Sequence, residues 1–125
     1  MGSKTYLVTG ANSDIGVEVC RFALESGNNV LGLYHSGRHR LDSLNDLYDT
    51  LKLIQVDFAT TKSVERFIGE HGELLGDVDA FVSLAAMRDN VSYGEITAPD
   101  LINHFTVNVV PHVLLMQFLG PRMAS

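Results

Sequence analysis

A chain of 125 residues is long enough for one domain with a real core and short for two. Its composition, 46% hydrophobic and 19% charged, excludes disorder, and it holds no apolar run of the length that spans a membrane. The net charge of −6 argues against nucleic acid as a main partner, and the single cysteine, Cys20, excludes an internal disulfide and fits a reducing cytoplasm.

The first residues, Met1 to Lys4, lead straight into a strand without the apolar stretch of a signal peptide. That strand is Tyr6-Leu7-Val8, and it ends in Thr9-Gly10. A polar loop, Ala11 to Asp14, passes into a helix opened by Ile15-Gly16. Ile15, Val19, Phe22 and Ala23 recur at helical spacing and predict the buried face of that helix, with Cys20 packed beside it. Gly27 stops it. Val30 to Tyr34 is the second strand, and His35 to Arg40 is a polar, basic loop. Leu41, Leu44 and Leu47, with Tyr48, mark a short second helix. Leu53 to Val56 is the third strand, ending at Asp57. Thr60 to Ser63 carries helix-cap chemistry, and Val64, Phe67 and Ile68 give the third helix its buried face. Gly72 to Asp79 reads as a loop and Ala80 to Ala86 as the fourth strand. Arg88 to Pro99 is a long polar connection suited to a binding loop. Pro99 starts a last helix that runs to about Leu119 and is kinked by Pro111 beside Asn108.

Four alternations of strand and helix, with no repeat and no linker, predict one α/β domain over residues 1–125. The expected architecture is a Rossmann-like doubly wound parallel sheet of four strands and four helices, truncated before a fifth strand. Right-handed crossovers give the strand order 3-2-1-4. A ligand belongs beyond the carboxyl ends of strands one and four, where that order reverses. The stretch Tyr6 to Gly16 is the centre of the argument. A strand that turns sharply into a helix aims the helix's free N–H groups, and the positive end of its dipole, at the turn. That is a seat for a pyrophosphate. Gly10 permits the turn, and Gly16 lets the helix lie close to the strand. His35 and His39 could share a helix face, as could His104 and His112, but neither pair has a third ligand at metal spacing, so no metal site is expected.

Several motifs agree at this point. Thr9-Gly10-Ala11-Asn12-Ser13-Asp14-Ile15-Gly16 looks like a TGxxxGIG loop, Asp57 follows the third strand, Ser83-Leu84-Ala85-Ala86 stands in the place of NNAG, and Asn108 lies in Val107-Asn108-Val109. The sequence resembles the first half of the short-chain dehydrogenase/reductase family. The resemblance implies cofactor contacts from Thr9, Gly10, Asn12, Ser13, Asp14, Ile15 and Gly16, from Tyr34, His35, Ser36 and Arg38, from Asp57 and Phe58 on the adenine side, and from Leu84, Ala85 and Ala86. It makes Asn108 the catalytic asparagine. Two residues depart from the pattern: Asp14 replaces the middle glycine, and Leu84 replaces the second asparagine of NNAG. Asp14 can cap the helix and turn outward.

The end of the second strand bears on the choice of nicotinamide cofactor. An acid there would accept the ribose hydroxyls of NAD. Here Tyr34, His35 and Ser36 supply none, while Arg38 and Arg40 could bond a 2′-phosphate. NADP(H) is favoured, with NAD the alternative. The family's catalytic serine and YxxxK pair follow a fifth strand and have no place here. Tyr48-Asp49-Thr50-Leu51-Lys52 spells YxxxK but precedes the third strand, so Tyr48 is expected to pack and Lys52 to be solvated. The resemblance therefore implies the cofactor-binding portion of an oxidoreductase, with substrate turnover only if the missing half is supplied. A non-catalytic dinucleotide-binding module and a structural oligomer are the alternatives. The apolar last helix and the open fourth strand predict a homo-oligomer.

Overall fold

The computed structural model describes residues 2–86 and 94–123. The four expected strands are present as β1 (Thr5–Thr9), β2 (Asn29–Tyr34), β3 (Leu51–Gln55) and β4 (Ala80–Ser83). They form one parallel sheet in the order β3-β2-β1-β4. The register places Leu7 beside Leu31 and Phe81, and Thr9 beside Leu33 and Ser83. Successive residues of a strand point to opposite faces, so the sheet carries two cores. Leu7, Leu31 and Leu33 face one side, and Val8 and Val30 the other.

Among the described residues six helices are present where four were expected: α1 (Asp14–Glu25), α2 (His39–Leu47), α3 (Thr61–Glu70), α4 (Gly72–Gly76), α5 (Ala98–Asn108) and α6 (Val110–Met123). Helices α1 and α2 cover one face through Val17, Cys20, Ala23, Leu24, Leu41 and Leu44. Helices α3, α4 and α6 cover the other through Val64, Phe67, Leu75, Leu115 and Leu119.

The extra helices have local causes. The expected loop from Gly72 holds a single turn, α4, which buries Leu75 in the core. The predicted kink is a break. Helix α5 ends at Asn108, Val109 caps it, and α6 starts with Pro111 buried in its first turn. Pro111 has no N–H for the Val107 carbonyl, so a new helix starts there at less cost than the old one continues. The start lies at Ala98 and not Pro99, because Thr97 caps it. The Thr97 hydroxyl accepts from the Asp100 N–H (3.3 Å), and the Asp100 carboxylate accepts from the Thr97 N–H (2.9 Å). This reciprocal box also holds the Asp100 carboxyl below its usual range. Helix α6 runs past Leu119 to Met123, with Pro121 in its last turn.

The expected face of α1 is corrected. Ile15 is 67% exposed and Phe22 73% exposed, and the buried stripe is Gly16, Val17, Cys20, Ala23 and Leu24. Gly16, Cys20 and Ala23 let the helix lie close to the sheet, Val17 and Leu24 are buried beside them, and Ile15 and Phe22 face outward. Burial pushes the Cys20 thiol up to about 11. Strand β3 starts at Leu51, earlier than expected, so the YxxxK string runs from the cap of α2 into β3. Tyr48 packs partly buried against the α1–α2 core, and Lys52 is exposed. Strand β4 stops at Ser83, short of the expected Ala86. The long connection predicted over residues 88–99 lies partly outside the described residues, which resume at Gly94.

Candidate functional site

A cleft of about 440 Å³ opens at the carboxyl ends of the strands, where the order reverses between β1 and β4. Its floor and near wall come from the β1–α1 loop. Gly10 has φ 63°, and a Cβ there would come within 2.8 Å of the Leu84 carbonyl and the Ala85 nitrogen. Only glycine combines that dihedral with that approach. A Cβ at Gly16 would overlap the Gly10 carbonyl oxygen and lie 2.9 Å from the Ala11 backbone. The two glycines thus bring β1, the helix start and the β4 exit together.

Ser13, not Asp14, caps α1. Its hydroxyl accepts from the Gly16 N–H (3.0 Å) and donates to the Gly10 carbonyl (2.8 Å). Asp14 is the first helical residue, and its carboxylate pairs with the Arg40 guanidinium on α2. The Arg40 hydrogen bond, reinforced by its charge, holds the Asp14 carboxyl below the usual range. The Asn12 side-chain amide donates to the Ser36 carbonyl and so ties the loop after β1 to the loop after β2.

Thr9 lies fully buried beneath the cleft. Its hydroxyl accepts from the Leu84 N–H (3.0 Å) and the Ala85 N–H (3.1 Å), and sits 3.4 Å from the Ser83 hydroxyl as donor. The residues that end β4 are thereby fixed to the residues that end β1.

The far wall follows β2 and β3. The Arg38 Nε donates to Asp42 (2.8 Å) and its Nη1 to the Tyr34 hydroxyl (3.1 Å), with the guanidinium 5.5 Å from the Tyr34 ring centroid. Asp57 accepts from the Ala59 N–H at 2.9 Å, and its carboxylate lies 3.9 Å from the His35 Nε2. Gln55 donates to the His35 carbonyl at 2.7 Å.

The cleft is lined by Gly10, Asn12, Ser13, Tyr34, His35, Asp57, Phe58, Leu84, Ala85 and Ala86, all expected from the sequence. Of the other expected residues, Thr9 and Gly16 lie beneath it, and Asp14, Ile15, Ser36 and Arg38 stand outside its lining. Asn108 is exposed at the end of α5, and its neighbour Val107 lines the cleft in its stead. Leu33, Val56, Ala59 and Val107 also line it and were not expected. Leu33 and Val56 directly precede expected site residues, Tyr34 and Asp57, so extending those two positions by one residue toward the strand would have found them. No three His, Cys, Asp or Glu side chains gather as metal ligands among the described residues, and no described helix is long and apolar enough to cross a membrane.

Residues 4–125 match the family model described as short chain dehydrogenase. A short chain dehydrogenase/reductase of Cryptosporiopsis sp., dmxR8, is 29% identical over 98% of this chain and 39% of its own length. The curated relatives it matches are more than twice as long, since the chain spans 39%, 45% and 45% of three of them. The crystal structure of a short-chain dehydrogenase from Streptomyces avermitilis aligns with a TM-score of 0.87 at 27% identity, over 98% of this chain and 45% of that one. An NADPH-bound carbonyl reductase from chicken fatty liver shares the fold, with a TM-score of 0.81 at 22% identity over 98% of this chain and 49% of its own.

Proposed function

Because the chain belongs to the short chain dehydrogenase family, we propose that it is the cofactor-binding portion of an oxidoreductase that moves a hydride between NADP(H) and a carbonyl or alcohol. The observation that carries this reading is the cleft above the β1–α1 turn. There Gly10 brings backbone to backbone, and the start of α1 presents its N–H groups. A pyrophosphate fits that seat. The nicotinamide, when bound, supplies or takes the hydride.

The residues of this chain bind and orient. Gly10, Asn12 and Ser13 hold the pyrophosphate, and Asp57 and Phe58 bound the adenine. Tyr34, His35 and Ser36 meet the ribose. Leu84, Ala85 and Ala86 lead toward the nicotinamide. Arg38, held beside Tyr34, favours a 2′-phosphate, and no acid at the end of β2 opposes it. NAD is the alternative cofactor. The reductase of known structure cited above that carries NADPH has the same fold, which supports the reading.

We assign these residues to cofactor binding. Asn108 serves catalysis only if a partnering tyrosine and lysine are supplied. A reducing cytoplasm suits the lone buried thiol of Cys20.

The experiment is a fluorescence titration of the purified chain with NADPH, with NADH run beside it. Saturable binding that prefers NADPH is expected. The loss of both signals overturns the reading in favour of a structural module that keeps the fold without its ligand.

A further inference from the structure

Asp14 is the first residue of α1 and follows Ser13, which lines the cleft; its own carboxylate is exposed and stands outside that lining. A bare carboxylate there lies within one screening length, about 10 Å at 0.1 M salt, of any phosphate in the loop. It would offset much of the attraction that the helix N-terminus exerts on an anion. The carboxylate is not bare. Arg40, from the first turn of α2, reaches across 26 positions of sequence to pair with it. Arg38 has other partners, Asp42 and the hydroxyl of Tyr34, and Tyr34 lines the cleft. The two arginines therefore face different elements.

We propose that Arg40 is a positioning residue that neutralises Asp14, so that the β1–α1 loop can accept the pyrophosphate of a dinucleotide, and that it does not read the 2′-phosphate. The inference rests on the dinucleotide reading above. It explains how a chain with a carboxylate in place of glycine keeps an anion seat. It also assigns the pair a role shared by NADPH and NADH, since both carry the pyrophosphate.

The test titrates the parent chain, Arg40→Ala and the double variant Asp14→Asn/Arg40→Ala with NADPH and with NADH. Arg40→Ala is expected to weaken both dinucleotides alike, by about tenfold. The double variant is expected to return both to within about threefold of the parent. Three results overturn the proposal: a loss confined to NADPH, a double variant as weak as Arg40→Ala, or no effect of Arg40→Ala. If the parent binds neither dinucleotide, the dinucleotide reading itself fails, and the pair is judged by NMR titration of the Asp14 carboxyl. Arg40→Ala must then raise its pKa, and an unmoved titration overturns the pairing.

Discussion

Thr9 shows how one buried hydroxyl organises the site. It is fully buried, and its oxygen meets the N–H groups of Leu84 and Ala85. The Leu84 N–H also reaches the Thr9 carbonyl at 3.2 Å, so a valine at position 9 leaves the Ala85 N–H as the group without a partner. Thr9→Val keeps the shape and removes the acceptor. We expect a loss of about 1 kcal/mol in urea unfolding, the low end of the cost of an unmet donor because the Ala85 N–H is only partly buried. A change below about 0.5 kcal/mol, within the usual range of a surface substitution, would mean that Thr9 acts by shape alone. The sequence marks Thr9 as part of a motif, but it does not tell which N–H groups the hydroxyl will meet. Those groups belong to residues 75 and 76 positions away.

At the scale of the element, glycines in helices test what packing demands. Gly16 has no room for a Cβ, since Gly10 and Ala11 occupy the space. Gly69, exposed near the end of α3, meets nothing within 4 Å. Gly16→Ala should therefore destabilise by about 2 kcal/mol or more, and Gly69→Ala should stabilise by up to about 1 kcal/mol. Thermal unfolding followed by circular dichroism reads both, and equal effects would refute the packing account of α1. The same crowding explains why the face of α1 was misread. Spacing placed Ile15 and Phe22 inward, but the stripe that packs on the sheet runs through Gly16, Cys20 and Ala23, with Val17 and Leu24 beside them. The break between α5 and α6 was half legible. Pro111 announces that the Val107 carbonyl loses its partner, but whether the helix bends or restarts depends on what buries Pro111. The start of α5 is legible in the sequence, since Thr97 and Asp100 stand at capping-box spacing.

For the whole molecule, the prediction concerns association. Strand β4 pairs with β1 alone among the described strands, and its residues are only half-buried. Leu101, Ile102, Phe105, Val113 and Met116 are exposed along α5 and α6. Open strand edges and apolar patches of this kind drive self-association. Light scattering should give a mass of at least two chains, and Phe105→Asp should lower it. A single-chain mass at working concentration would refute the prediction. By itself the sequence determined the parallel sheet, its order and the glycine turn. These follow from local periodicity, turn chemistry and the handedness of strand–helix–strand crossovers, which depend on neighbours in the chain. The tertiary structure alone decided which arginine answers which carboxylate, which face of α1 is buried and how Thr9 fastens β4. Those outcomes depend on groups far apart in sequence, and only the packed sheet sets the distance between them.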